Sequence, residues 1–269
     1  MLRKGWRRRL TLSVLALIIV ASVGLGYYAS LPNVADAPKR VAAILAAHHV
    51  ASERGRLPAK LSTAVVATED EHFYANVVYD VTAGVGRAAV AFLEGSRDPG
   101  GSTIAQQLAK QLYGGGTGWT ATARDLLLGV KLSLGFPKDE ILRMYLEASY
   151  FGHGYWGAQA AAAGYFGVTP ARLTWAQASL LAGLLQAPSA YDPLRHFALA
   201  KQRQREVLDQ LVANHDLTAA QASSVFRQGL ALAIHSSPVE GKAAVRIDAG
   251  GADQDQALRA ATYFSGFLR

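Results

Sequence analysis

Ala67-Thr68-Glu69-Asp70-Glu71-His72-Phe73 closes one apolar run, and Gly100-Gly101-Ser102-Thr103-Ile104-Ala105-Gln106-Gln107-Leu108-Ala109-Lys110 opens another. The first segment follows Leu61, Ala64, Val65 and Val66, whose spacing predicts a helix over about 58–71. Glu69 then stands at the rim of a hydrophobic wall, where partial burial raises a carboxyl pKa toward the range a general base needs. The second segment puts Ser102 and Thr103 at a helix start, and Thr103 with Gln106 has capping-box spacing. A helix start offers unpaired N–H groups and a positive dipole end, which suit an anionic phosphate. Lys110 lies three and four residues beyond Gln107 and Gln106 and shares their face. Read alone, the first segment is a solvated acidic run and the second an ordinary capped helix.

The surrounding sequence is helical in pattern. Alanine and leucine are abundant and strand-like alternation is scarce. Thr174 with Gln177 and Thr218 with Gln221 repeat the capping-box spacing, and Pro137 suits a first helical position after a stop at Gly135. Helices are expected near 38–51, 58–71, 80–95, 103–112, 121–134, 137–148, 157–165, 174–186, 195–213 and 218–229. Gly114 to Gly118 lacks the Lys-Ser or Lys-Thr of a phosphate loop and reads as a surface loop. Beyond Gly250-Gly251, Asp253–Arg269 has the pattern of a short amphipathic helix.

The chain has 269 residues and no cysteine, which excludes disulfides and thiolate chemistry. Its formal net charge is +7, and Arg3, Lys4, Arg7, Arg8 and Arg9 contribute five of it. The remainder is too nearly neutral for a nucleic-acid-binding stripe, and no nucleic-acid partner is expected. The uncharged stretch Leu10–Tyr28 is 19 residues long, close to the ~20 that span a bilayer. Basic residues before it keep the start cytoplasmic, and Tyr27 and Tyr28 suit the far interface. Ala35-Asp36-Ala37 has the shape of a signal-peptide cleavage site, but a signal peptide's apolar region is shorter, roughly 7–15 residues. An uncleaved anchor is therefore the expectation.

Together the two opening segments resemble the first two signature motifs of the family 51 glycosyltransferases, the peptidoglycan glycosyltransferases. Pro137-Lys138-Asp139-Glu140-Ile141-Leu142-Arg143-Met144-Tyr145-Leu146 resembles the third motif. Gly157, Ala161 to Ala163 and Tyr165-Phe166-Gly167 resemble the fourth. Leu180 to Ser189 with Tyr191-Asp192-Pro193 resembles the fifth. The similarity covers about residues 58–212, with all five motifs in order.

The resemblance implies a mainly α, lysozyme-like helical glycosyltransferase domain behind an N-terminal transmembrane helix. The parts expected are a cytoplasmic basic tail over 1–9, a signal-anchor over 10–31 and a linker with a leading helix over 32–57. The catalytic domain follows over 58–230, with a tail of unassigned role over 231–269. The implied reaction polymerises lipid II into glycan strands at the outer face of the bacterial plasma membrane, with other cell-wall synthesis proteins as partners. Glu69 and Asp125 are the implied catalytic acids. Asp70, Phe73, Ser102, Thr103, Gln106, Gln107, Lys110, Arg124 and Lys138 are the implied substrate-binding residues. No cofactor is required by this chemistry, and a divalent cation (Mg or Mn) is the candidate helper. No Ser-x-x-Lys occurs, so a penicillin-binding transpeptidase nucleophile is missing.

The chain also departs from the family pattern. Asn76 and Val78 stand where the family has histidine and glycine, and Asp125 replaces a glutamate. Ala121 and Thr122 replace an arginine-lysine pair thought to hold the diphosphate. Gln111, Glu147 and Val168 replace two asparagines and a lysine. Arg124 is next to Asp125 but points about 100° away on a helix. Fewer fixed cations weaken leaving-group stabilisation. Two alternatives follow: a non-catalytic scaffold that binds glycan or precursor, and a lysozyme-like lytic enzyme. Val77, Val78, Ala88, Ala89, Val90, Phe92 and Leu93 are the candidates for dipping into the bilayer.

Overall fold

The computed structural model describes residues 2–51, 57–74, 102–114 and 118–233, without the side chains of 2–10, 16, 17, 20, 21 and 119. The expected helix at 80–95, the bilayer-dipping candidates between 77 and 93, and the amphipathic stretch at 253–269 lie outside the described residues. Ten α-helices occur among the described residues: α1 Leu2–Ser30, α2 Ala37–Ala47, α3 Ala59–Glu69, α4 Ile104–Tyr113, α5 Trp119–Gly135, α6 Lys138–Ala148, α7 Gly157–Phe166, α8 Trp175–Leu184, α9 Phe197–Ala213 and α10 Ala219–Arg227. Short 3-10 turns occupy Val34–Asp36 and Pro170–Arg172. The only strand-like pairing among the described residues is the isolated bridge Tyr150–Trp156.

All three predicted capping boxes form, with both reciprocal bonds present at Thr103/Gln106, Thr174/Gln177 and Thr218/Gln221. Pro137 stands one position earlier than expected, as the residue before α6, where its carbonyl accepts from Ile141 N–H. Helix α8 is buried from Ala176 through Leu184 and forms the centre of the domain. A helix apolar on all sides needs neighbours all round, and α3, α9 and α10 pack against it. A second group, α2, α4, α5, α6 and α7, packs in sequence: α4 on α5 and α6, and α6 on α2 and α7. Leu61, Leu108, Leu128, Ile141, Leu142 and Leu180 are fully buried in the shared core.

Between α6 and α7 stands one turn that only glycine permits. Gly152 has φ +85, and a Cβ there would lie 2.6 Å from the Pro188 carbonyl oxygen. This closeness sets the turn before the fourth motif against the fifth, and His153 Nδ1 meets Asp192 Oδ2 at 3.1 Å across the join.

The first residues after the expected anchor pack on the domain. Leu31, Val34 and Ala37 are buried. Tyr113 donates its hydroxyl to Asp36 Oδ1 at 2.6 Å, and Arg40 reaches both Asp36 Oδ2 (2.8 Å) and the Leu112 carbonyl (3.2 Å). These long-range partners on α4 hold the connection down. The stretch beginning at residue 231 likewise starts on the domain, with Ala233 N–H donating to the Tyr165 carbonyl at 2.7 Å. Among the described residues no helix is long and apolar enough to cross a membrane. The uncharged run Leu10–Tyr28 lies within α1, and several of its side chains are outside those described.

Candidate active site

Helix α3 ends at Glu69, whose carboxylate reaches Gln107 of α4 in the second helical group. Leu61, Ala64 and Val65 hold the preceding turns in the core. Burial pushes the Glu69 carboxyl above its ordinary pKa, while the Gln107 hydrogen bond and the positive charge of Arg203 pull it partly back. Gln107 Nε2 donates to Glu69 Oε2 at 2.9 Å and to the Ser102 carbonyl at 3.3 Å. Its Oε1 accepts from the Tyr145 hydroxyl at 2.8 Å. The amide is thereby fixed in one orientation, because its donor and acceptor ends are both committed. Among the described residues Glu69 Oε1 accepts no hydrogen bond. The result is a partly buried carboxylate with one oxygen held and one available.

Several residues expected to touch substrate have structural duties. Asp70 Oδ2 accepts from Ile104 N–H at 3.1 Å, at the first residue of α4. Thr103 is buried, and its hydroxyl and the Gln106 amide close the capping box. The helix-start donors expected to grip phosphate are therefore largely spent on the protein's own carboxylate and hydroxyl. Phe73 is fully buried, so its ring belongs to the core rather than to a substrate surface, and Lys138 Nζ lies 4.9 Å above it. Arg124 donates to the Tyr113 carbonyl at the end of α4, so it caps that helix. Ser102 is half-buried, and its carbonyl accepts from Gln107 Nε2.

Lys110 is exposed on α4, and it faces Asp125 of α5 closely enough to pull that carboxyl's pKa down against burial, which raises it overall. Arg124 adds a smaller pull in the same direction. Glu69 and Asp125 thus have different partners: Gln107 and Arg203 for one, Lys110 and Arg124 for the other. Among the described residues no three His, Asp or Glu side chains converge as a metal-holding group.

Two residues near Glu69 were not singled out as site residues from the sequence. Tyr145 is 1% exposed, and burial pushes its hydroxyl pKa well up, so it is a neutral donor to Gln107. Arg203 belongs to α9, and Gly183 of α8 makes room for it, since a Cβ there would lie 2.9 Å from Arg203 Cγ. A signal for Arg203 did exist. It falls on the face of α9 that also carries Ala200, Gln204, Val207 and Leu211, all buried, where a charged residue needs a reason.

Beyond Gln107, a cleft of about 690 Å³ opens between α2, α4 and α6, with Gln107, Gln111, Tyr145 and Ser149 on its polar side. Trp156 stacks on His48 at 4.2 Å on its other side, with Tyr150 5.1 Å from Trp156. Amides beside aromatic faces are chemistry suited to sugar rings.

Residues 38–212 match the family described as Transglycosylase. The chain belongs to the transglycosylase family. This is the family 51 membership to which the five motifs point, and the matched span contains Glu69, Gln107, Asp125, Tyr145 and Arg203. Among its transglycosylase relatives, penicillin-binding protein 2a of Streptococcus pneumoniae is 34% identical over 232 residues, covering 79% of this chain and 31% of that protein. Penicillin-binding protein 1A of Neisseria gonorrhoeae is 38% identical over 178 residues, covering 65% of this chain and 22% of that protein. A Cupriavidus necator protein named "Putative transglycosylase" is 39% identical over 159 residues, covering 59% of this chain and 68% of that protein. The chain therefore spans a third or less of the penicillin-binding proteins it matches and most of the shorter relative.

Proposed function

We propose that this transglycosylase-family chain is a peptidoglycan glycosyltransferase that polymerises lipid II into glycan strands. The observation that carries the proposal is Glu69, a carboxylate with a raised pKa, anchored through one oxygen by Gln107 and lying inside the family span. Glu69 Oε1 takes the proton from the 4-hydroxyl of the acceptor GlcNAc. That oxygen forms a bond to C1 of the donor MurNAc as the bond from C1 to the polyprenyl diphosphate breaks, with inversion. Lys110 offsets charge on the departing diphosphate, and Asp125 positions Lys110. A divalent ion would be held by waters, the substrate's phosphates and one or two carboxylates, as is usual for Mg.

We place the chain in the bacterial plasma membrane by a single span over Leu10–Tyr28, with the helical domain outside and other wall-synthesis proteins as neighbours. The 19 uncharged residues after a basic start support this reading.

A second reading, a non-catalytic glycan- or lipid II-binding scaffold, is favoured by one observation. Ala121 and Thr122 supply no cation on α5, and Arg124 is held by the Tyr113 carbonyl. Incubation of the detergent-solubilised protein with labelled lipid II separates the two. Glycan polymer from the parent and none from Glu69→Gln supports the enzyme with Glu69 as base. Polymer from both removes Glu69 from that role. Polymer from neither, with both folded by circular dichroism, supports the scaffold, and shortening of preformed glycan supports a lytic enzyme.

A further inference from the structure

The junction between α1 and the domain is held by a lysine in an unusual place. Lys131 of α5 donates to the Leu31 carbonyl at 2.8 Å and to the Pro32 carbonyl at 3.4 Å. The same ammonium lies 4.7 Å from the centroid of the Tyr28 ring. One turn further along α5, Leu134 is 65% exposed, and its neighbour Gly135 packs on Val34. Leu12, Val14, Leu15, Ile18, Ile19, Val23 and Leu25 of α1 are exposed in the same way. The α5 end that carries Leu134 thus meets the end of the apolar, exposed α1 through Lys131.

We propose that the C-terminal turn of α5, with Lys131 and Leu134, is a membrane-interface collar that sets the domain against the lipid surface at a fixed height. The proposal rests on the reading of α1 as a membrane span. Nineteen helical residues rise about 28 Å, nearly the full ~30 Å of a bilayer's hydrocarbon. With Leu10 at one boundary, Tyr28 lies at the other. Lys131, in contact with the Tyr28 ring, then lies at headgroup depth, where an ammonium meets lipid phosphate and an aromatic ring is at home. Leu134 is about 5 Å away along α5, within the interfacial layer. Because Asp36, Tyr113 and Arg40 lock the following turn onto α4, the domain has no free linker on which to swing. The occupant of the Leu134 surface is therefore lipid.

The absence of cysteine makes a direct test available. Single-cysteine variants Leu15→Cys, Leu134→Cys and Ser224→Cys of the 269-residue chain are labelled with a small fluorophore and reconstituted in phosphatidylcholine and phosphatidylglycerol vesicles. Ser224 is exposed on α10, which packs on α9 and α8, away from α5. Quenching is measured with nitroxides carried either deep on the acyl chain or at the headgroup. The expected result is strong deep quenching at Leu15, and headgroup quenching at Leu134 several-fold above that at Ser224. Deep quenching at Leu15 with equal headgroup quenching at Leu134 and Ser224 overturns the collar and leaves the span standing. No deep quenching at Leu15 overturns the span, and the collar falls with it. Lys131→Ala is expected to lower the Leu134 quenching toward the Ser224 level. Unchanged quenching in that variant removes Lys131 from the collar.

Discussion

Replacing Gln107 with leucine separates the charge on Glu69 from the packing around it. Leucine keeps much of the side-chain volume and removes both ends of the bridge: the 2.9 Å bond to Glu69 Oε2 and the 2.8 Å bond from the Tyr145 hydroxyl. A hydrogen bond to a charged group contributes about 1.5–3 kcal/mol, and this one favours the ionised carboxylate. Its loss raises the Glu69 pKa further, in the direction burial already pushes it. If Glu69 is the base, the acid limb of the pH–rate profile moves to higher pH. On that limb the rate falls roughly ten- to a hundredfold, by the exponential relation between energy and rate. Well above the limb the loss shrinks, because Glu69 ionises anyway.

Stability changes in a separable way. The buried Tyr145 hydroxyl loses its acceptor, which costs about 1–3 kcal/mol. For a domain of this size that lowers Tm by roughly 2–12 °C. A carboxyl whose folded pKa lies above its unfolded value contributes stability that is full below the unfolded pKa and lost as pH rises through the folded one. The deficit of Gln107→Leu therefore widens as pH rises through that window. Tyr145→Phe is the control: it keeps the bond to Glu69, lowers Tm and leaves the acid limb where it was. The measurements are lipid II polymerisation from pH 4 to 8, taken as approximate bounds around a carboxyl's range, and thermal melts at each pH. An unmoved acid limb in Gln107→Leu, or an equal movement in Tyr145→Phe, refutes the reasoning.

Three further outcomes are expected. Glu69→Gln abolishes polymerisation yet melts higher than the parent near neutral pH, because it removes a charge that burial disfavours; calorimetry showing a lower Tm would contradict this. Arg203→Gln removes a positive charge that pulls the Glu69 pKa down, so its acid limb also moves to higher pH, and an unchanged limb in the same assay dissociates Arg203 from Glu69. Asp70→Ala leaves Ile104 N–H at the start of α4 without its acceptor and lowers stability by about 0.5–2 kcal/mol, as loss of a helix cap does, measurable by urea denaturation.

How much of this site could be read from the chain depends on the distance over which each feature is decided. The capping boxes form as expected because a hydroxyl and an amide three residues apart need nothing else to find each other. The end of α3 at Glu69 was legible for a similar reason, since the apolar spacing that builds the helix also buries its last turn. What local pattern could not supply was the use of each polar side chain. Asp70 lies 34 residues before the N–H it accepts, and Gln107 lies 38 residues from both Glu69 and Tyr145. A motif places such residues in one neighbourhood without saying which faces substrate and which faces the protein.

The same limit applies to the connection after α1. Pro32 and Pro38 signal a break in helix, but a break is not freedom, and Tyr113 lies 77 residues away from the Asp36 it binds. A consequence for function follows. If the second motif's hydroxyl, amide and helix-start donors are spent holding Asp70 and Glu69 in register, then Lys110 is the motif's cation left facing outward, opposed by Asp125 across α4 and α5. The motif then acts first as a splint for Glu69 and Asp70. On that view the cations absent at Ala121 and Thr122 leave untouched the Gln107 bridge that holds Glu69.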